Sequence, residues 1–450
     1  MTGNYIDTET ISLRREKRAE RQAELINGFK TPLICFTMNI PGEIKFSPLI
    51  KTVFSYGINA LNEEFSENII HFEQIFSLTG CEAFFSVNAD AQFIKDRAVF
   101  LENTLPAGRL YDIDVIDSSG NKLSRNGQRK CIICGKSAAV CARSRAHGLP
   151  ALKKAAKEIL IRALCKYISD AAADALFSEV HLTPKPGLVD ENNSGANDDM
   201  DIRLFEKSID VLKPYFCKIA EYCVLNYEND FNAGFADGLR FLGIQAEKAM
   251  LSATGGVNTH KGAIYSLGLI VSAYALLASG KSFSPSPGGF HAEDYLSEIL
   301  FIASRLALNL ENPEENPDLK SGKNFNVSDA VIQAQKGFPA AVSALKTYHY
   351  YRASEIGSGL SPWIYALLNI MSELPDKNIL RRGGAKGAEF VKTNSKILLK
   401  KGGMLTEADL CDFDRELIAR NLNCGGCADM LAAAMLLETI NETYNRAEAF

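Results

Sequence analysis

The sequence predicts a multidomain protein, an α+β domain followed by an all-α helical-bundle domain, and three observations carry that prediction. The chain has 450 residues, beyond the roughly 250 to 300 at which one hydrophobic core stops growing, so two cores are expected. Up to Pro150 short apolar, β-prone runs alternate with helical stretches, whereas beyond it the apolar periodicity is helical and β-branched runs are few. The text from Ala151 to Val180 is continuously helical, without a Gly- or Pro-rich linker, so the domains are expected to follow directly, as residues 1–165 and 166–450.

Composition narrows the function classes. Hydrophobic residues are 46% and charged residues 23%, an ordinary globular mix that leaves no room for a large disordered tract. A net charge of -5 argues against a polyanion-coating surface and hence against nucleic acid, while allowing small basic pockets for phosphates. The 11 cysteines, an odd number, and a polar start without the layout of a signal peptide predict reduced thiols in the cytoplasm. The longest apolar run, Ala263 to Ala278, is shorter than the ~20 residues of a bilayer-spanning helix. It is expected to be a buried core helix, with no membrane partner.

In chain order, SLRREKRAERQAE (12–24) reads as an exposed amphipathic helix. TPLICFTMNIPG, EAFFSVNA and GRLYDIDVID read as strands, the first ending at Pro41-Gly42. SPLIKTVFSYGINALNEEF and NADAQFIKDRAVFLENT between them are helical, giving an α+β domain with at least three strands.

If the segment from Gly108 to Asp117 is a strand, Asp112 and Asp114 share one face, and Tyr111, Ile113 and Val115 pack on the other. Such a pair of hard carboxylates can hold Mg²⁺ with a triphosphate, as in a nucleotidyltransferase-type site. An exposed strand face ending in a turn is the competing reading. Arg109 before the pair, and Arg125, Arg129, Arg143 and Arg145 after it, offer forked donors that match phosphate geometry. Cys131, Cys134, Cys141 and His147 have the ligand types of a Cys₃His zinc site in a spacing that fits no standard finger; reduced thiols packed as small hydrophobes are the alternative.

The run FTMNIPGEIKFSPLI, the GRLYDIDVID segment with SRNGQR, and CIICGKSAAVCARSRAH together resemble the phosphoribosyl-dephospho-coenzyme A transferase, or holo-acyl-carrier-protein synthase, of citrate lyase. The resemblance covers most of residues 11–150. It implies transfer of phosphoribosyl-dephospho-coenzyme A from its triphosphate precursor to a serine of the lyase's acyl carrier protein, with pyrophosphate leaving. Asp112 and Asp114 are then the expected metal ligands and the arginines the expected phosphate donors.

Four segments of the second domain read as loops between helices. In the first, Glu179 to Asp190 with the motif TPKPGLVD and Lys185 leads to Asp198, Asp199 and Asp201. One of these acids suffices to cap the next helix, whereas three within four positions repel one another unless a cation such as Mg²⁺ intervenes. The second, Thr254 to Gly262, offers Gly255, Gly256, Asn258, Thr259, His260 and Lys261 before the apolar helix. Adjacent glycines allow close backbone approach and a helix start can bind phosphate, yet no Walker A frame is present. The third contains Asp376, Asn378, Arg382, Gly383 and Gly384. The fourth contains Cys424, Gly425, Gly426, Cys427 and Asp429, with its thiols read as structural.

In this order the segments, together with Gly337 to Pro339 and FDRELIARNL, resemble triphosphoribosyl-dephospho-coenzyme A synthase over nearly all of residues 166–440. The resemblance implies that the 2′-hydroxyl of dephospho-coenzyme A displaces adenine from the ribose C1′ of ATP. Asp199 and Asp201 are then expected to bind metal or offset transition-state charge, and His260 to act at the reacting centre. Asn197 stands where the family pattern has His, Lys377 where it has Thr, and Cys424 and Cys427 where it has Pro and Ser. Asn cannot serve as a general acid or base, which puts that role at position 197 in doubt. Two alternatives remain at this stage: the equivalent maturation enzyme of malonate decarboxylase, and a non-catalytic scaffold that binds carrier protein.

Overall fold

A computed structural model describes residues 8–228, 232–281, 292–310, 329–354 and 359–446. The chain divides into two compact units, the first Met1–Lys166 with Ala278–Gly280 and Glu442–Phe450, the second Tyr167–Leu277 with Lys281–Asn441. It is mostly helical, with one small antiparallel sheet.

The first unit is built on that sheet, formed by β1 (Leu33–Met38), β2 (Ile69–Ser77), β3 (Gly80–Val87) and β4 (Tyr111–Ile116) in the order β2-β3-β1-β4. On one face α2 (Pro48–Glu64) and α3 (Ala91–Thr104) cover Phe36 and Tyr111: Phe36 stacks on Phe54 at 4.4 Å, and the Tyr111 hydroxyl donates to the Val53 carbonyl. On the other face α1 (Thr8–Phe29) buries Leu25 and Ile26 against Leu33, Cys35 and Phe84. Helix α1 is longer than the 12–24 segment read from sequence and is not simply exposed. Arg14 and Arg18 both bind the buried Glu82, and Arg21 binds Glu73. Strand β2 escapes notice in the sequence because nearly all of it is only half-buried, so its hydrophobic alternation is weak.

The second unit takes up α5 (Leu149–His181), which runs through the residue where the two units divide. It continues with α6 (Ile202–Leu225), α7 (Ala233–Ala253), α8 (Lys261–Ala278), α9 (Ala292–Leu310) and α10 (Asp329–Gln335). Then come α11 (Pro339–Ala353), α12 (Pro362–Glu373), α13 (Lys377–Lys400), α14 (Glu407–Ala419) and α15 (Gly425–Arg446). Helix α8 has the length and hydropathy of a membrane span, but 78% of that span is buried, as in a core helix.

Two segments expected as loops are helical. Residues 377–384 open α13, which is kinked at Gly384 (φ 60), and Gly425 opens α15. The glycines have a packing reason: a Cβ at Gly383 or Gly387 would collide with Leu422.

Candidate active sites

In the first unit, the period-2 geometry of β4 puts Asp112 and Asp114 on one half-buried face, while Tyr111, Ile113 and Val115 are buried on the other. The two carboxylates sit in different company. Asp114 accepts from Lys122 at 2.6 Å, and Asp112 from Arg129 at 3.2 Å; Arg129 also donates to the Tyr111 carbonyl. Behind the strand Glu102, 5% exposed, accepts from the Ile113 amide and from Arg125 at 2.7 Å. Burial pushes the Glu102 carboxyl up. Glu102 escapes the sequence reading because it sits in the middle of a helical run with no motif around it.

Beside this strand lies a cavity of about 570 Å³ lined by Arg109, Arg129, Lys130, Arg145 and His147 among others. Arg109 Nη2 is buried there without a hydrogen-bond partner. Burial, then the charges of Arg129 and Arg125, hold the Arg109 guanidinium below its usual range. Three guanidiniums share the carboxylates of Glu102 and Asp112, which leaves an excess of positive charge, the electrostatic condition for binding an anion. Arg125 is engaged by Glu102 and Asn103, and neither it nor Arg143 lines the cavity; Asp112 and Asp114 are not in its wall either, and reach it only through the Asp112–Arg129 pair.

In the second unit a cavity of about 340 Å³ gathers residues from all four segments: Lys185, Asn197 and Asp199; Asn258, Thr259, His260 and Lys261; Asn378, Arg381 and Arg382; Asn423, Gly425 and Asp429. His260 is 3% exposed. Its Nδ1 lies 2.7 Å from Ser208 Oγ, its Nε2 has no partner, and the ring meets Phe205 edge-on. Burial, and secondarily the charge of Lys185, push its pKa down to about 3. The ring is therefore neutral. Thr259 Oγ1 is likewise unpartnered in the wall. Ser208, 52 residues upstream of His260, carries no local signal that would have found it.

Around this pair the backbone is fixed by acids. Asp190 caps the Lys185 amide at 2.8 Å, and Asp414, from the FDRELIARNL segment, caps the Gly187 amide at 2.8 Å and the Asn193 side chain. Gly187, at φ +75, has Leu417 and the Leu422 carbonyl where a Cβ would stand. Asn197 is a hydrogen-bond hub: its Oδ1 accepts from Asn423 at 2.5 Å and from Arg382, and its Nδ2 donates to the Ser194 carbonyl. A Cβ at Gly262 would overlap the Asp429 carboxylate. Only glycine lets that acid approach the start of α8.

Several residues expected to bind substrate are committed elsewhere. Lys185 lines the cavity, but its Nζ is held by Glu179 Oε1 at 2.5 Å and by the Glu179 carbonyl, with both side chains buried. Asp201 caps α6 through the Leu204 amide and lies in a shallow hollow with Asp198 and Asp199. Asp376 caps α13 at the Asn378 and Ile379 amides and also accepts from the Cys427 amide, so both of its buried oxygens are engaged by backbone. Gly255 and Gly256, both exposed at positive φ, form the turn after α7 rather than the wall. Gly383 is packed on Leu422, and Gly426 lines a neighbouring cavity of about 550 Å³. Cys424 and Cys427 are fully buried.

The sequence profile of the family described as CitG, ATP:dephospho-CoA triphosphoribosyl transferase, matches residues 165–448. That of CitX, apo-citrate lyase phosphoribosyl-dephospho-CoA transferase, matches residues 6–163. Protein CitXG of Haemophilus influenzae is 32% identical over 447 residues, covering 96% of this chain and 95% of that one. Protein CitXG of Leuconostoc mesenteroides subsp. cremoris is 31% identical over 462 residues, with 97% of each chain covered. The 2-(5''-triphosphoribosyl)-3'-dephosphocoenzyme-A synthase of Haemophilus ducreyi is 35% identical over 330 residues, covering 67% of this chain and 97% of that one. With a cavity of matching chemistry in each half, the chain belongs to the family of bifunctional citrate lyase maturation proteins, transferases that make the lyase's prosthetic group and attach it.

Proposed function

We propose that residues 166–450 convert ATP and dephospho-coenzyme A into triphosphoribosyl-dephospho-coenzyme A and adenine in the cavity around His260. Residues 1–165, a nucleotidyltransferase-type domain, then transfer the phosphoribosyl-dephospho-coenzyme A group to a carrier-protein serine beside Arg109 and Arg129. The observation that carries this reading is the buried, neutral, unpartnered Nε2 of His260 in a wall that also presents Asp199, Asp429, Arg381 and Arg382. The free cysteines support a reducing, cytoplasmic site of action.

In the helical unit, the reaction breaks the C1′–N9 bond of ATP and forms a C1′–O bond to the 2′-hydroxyl of dephospho-coenzyme A. The hydroxyl proton is balanced by the one that adenine takes up. His260, fixed through Ser208, offers Nε2 to that hydroxyl, and its neutrality keeps a second positive charge away from a sugar that becomes cationic. Asp199 lies where a carboxylate offsets that charge. Arg381 is suited to the triphosphate, and Arg382, held by Ala196, Asn421 and Asn197, and Lys261, held by Glu247, would join it by exchanging partners. Asp199 and Asp429 line the same wall and are the carboxylates that would hold Mg²⁺ there, which would supply charge neutralisation of the triphosphate.

In the sheet unit, the serine Oγ attacks the inner phosphorus and pyrophosphate departs. Arg109, with its unpartnered Nη2, and Arg129 bind the equatorial and leaving oxygens. Asp112 and Asp114, adjacent on one face and half-buried, have the hard oxygens that Mg²⁺ requires, with Lys122 and Arg129 as the counter-ions to be exchanged.

The test is mass spectrometry of citrate lyase apo-carrier protein incubated with the enzyme, ATP, Mg²⁺ and dephospho-coenzyme A. A serine adduct of phosphoribosyl-dephospho-coenzyme A, accompanied by free adenine, is expected. Preferential modification of a malonate decarboxylase carrier under the same conditions would reassign the substrate, and adenine release without dephospho-coenzyme A would overturn the first reaction.

A further inference from the structure

We propose that Cys131, Cys134, Cys141 and His147 bind one zinc ion, and that this zinc shapes the arginine-lined cavity of the first unit. The ligand atoms of the four residues all lie within 4.8 Å of one another. Cys134 Sγ is 3.5 Å from Cys141 Sγ and 3.3 Å from His147 Nε2. A tetrahedron with Zn–S bonds of about 2.3 Å and a Zn–N bond of about 2.0 Å has edges of about 3.8 Å between sulfurs and about 3.5 Å from sulfur to nitrogen. The two close spacings fall slightly short of these edges and the others lie within 4.8 Å, so small shifts of the four side chains would bring them onto one ion. A disulfide would require about 2.05 Å between sulfurs.

The chain is shaped to make this convergence. Cys131 and Cys134 span a tight turn in which Gly135, at φ +71, sends its amide to the Cys131 carbonyl at 3.2 Å, and the Ile133 amide points at Cys131 Sγ. The short α4 (Ala138–Arg143) supplies Cys141. Arg145 then adopts the left-handed conformation at φ 47, and the Ala146 amide closes on the Cys141 carbonyl at 3.0 Å. That bend returns His147 to Cys134. A non-glycine residue at positive φ carries a conformational cost that surrounding interactions must offset.

Segment 117–148 otherwise has little to hold it. Among the described residues between Ile116 and Ala156, Cys131 and Cys141 are the sole buried apolar side chains, while Ile133 is 40% and Val140 57% exposed. Thirty or so residues without a core of their own need a cross-link, and four protein ligands make a closed, structural site rather than a catalytic one. Arg129 and Lys130 directly precede the first ligand, Arg145 sits two residues before the last, and all three line the cavity with His147. Fixing the ligands fixes these cations. This second step rests on the transferase reading above, whereas metal binding does not.

The experiment uses the full chain purified under reductant without chelator. Metal analysis should give about one zinc per chain, and cobalt exchanged into the protein should show the intense visible bands of a tetrahedral thiolate complex. Cys134→Ser and Cys141→Ser should each lower zinc content about tenfold or more, Cys217→Ser should leave it unchanged, and His147→Cys should retain it, since four thiolates also bind zinc. Hydrogen exchange of 129–147 should accelerate on zinc removal. Carrier modification from a supplied triphosphate precursor should fall about tenfold or more in Cys134→Ser, with adenine release unchanged. Reduced protein that neither carries zinc nor takes up cobalt, or a Cys134–Cys141 disulfide in its place, would overturn the site. Zinc loss without any change in carrier modification would overturn its role in placing the arginines.

Discussion

The arginine cavity of the sheet unit and the His260 cavity of the helical unit are both proposed to receive a triphosphate, yet they are built on opposite plans. The first is lined by cations from a segment with few buried side chains, and its nearest buried acid, Glu102, already serves Arg125 and the Ile113 amide. The second mixes both signs, Glu179, Asp199 and Asp429 with Lys185, Lys261, Arg381 and Arg382, and its backbone is pinned by Asp190 and Asp414 in the loop after α5 and by Asp376 at the start of α13. The chemistry accounts for the contrast. Phosphoryl transfer to a serine on another protein needs an anion grip that a macromolecule can reach. Displacement at a sugar carbon that becomes cationic needs a rigid wall with acids in place and water excluded.

The sharpest way to break this comparison is to disable one cavity and assay both reactions. His260→Gln and Asp199→Asn should each lower dephospho-coenzyme A-dependent adenine release by about 10²- to 10⁴-fold, with supplied precursor still transferred to carrier. Parallel loss of both reactions would mean that the cavities are not separate. Arg109→Met should lower carrier modification by about 10²-fold or more and leave adenine release intact, as followed by carrier mass and adenine chromatography. Asp112→Asn is expected to act in the same direction. The contrast in rigidity is tested by Lys185→Met, which strands Glu179 in a buried site. A loss of about 3–5 kcal/mol in denaturant unfolding of the helical unit is expected, and a loss below 1 kcal/mol would contradict a tight buried pair.

A smaller effect follows from His260. Its folded pKa of about 3 lies below the ordinary 6.5, so the unfolded chain binds the extra proton. Stability is therefore unaffected above about pH 6.5 and declines as pH falls from there toward 3. His260→Gln should flatten that part of the stability profile. Smallest of all, Asp201→Ala should cost about 1 kcal/mol as a lost helix cap, with adenine release changing far less than in Asp199→Asn. An equal loss of activity would return Asp201 to the reacting centre.

Much of the architecture could be read from the residues because local physics decided it. The alternation in Tyr111–Ile116 set the shared face of Asp112 and Asp114, and the unbroken helical text after Pro150 set α5. The Asn258, Thr259, His260 and Lys261 cluster could be found because glycines and polar groups interrupt apolar helices there. What could not be read depends on distant partners. Asp199 and Asp201 are two positions apart, and only the start of α6 separates the one that caps from the one that faces the cavity. Lys185 looks like a phosphate ligand until Glu179, from the end of α5, is found on its ammonium. Gly383 looks like part of a ligand loop but makes room for Leu422. Ser208, Glu102 and Asn423 acquire their roles entirely from tertiary neighbours.

Position 262 ties the backbone at the start of α8 to the placing of one acid in the cavity wall. Adding a single methyl group there, as in Gly262→Ala, would push Asp429 off the start of α8 while changing nothing in the sheet unit's own sequence. If Asp429 serves the synthase cavity as proposed, Gly262→Ala should lower adenine release while supplied precursor is still transferred to carrier, and unchanged adenine release would remove Asp429 from the reaction.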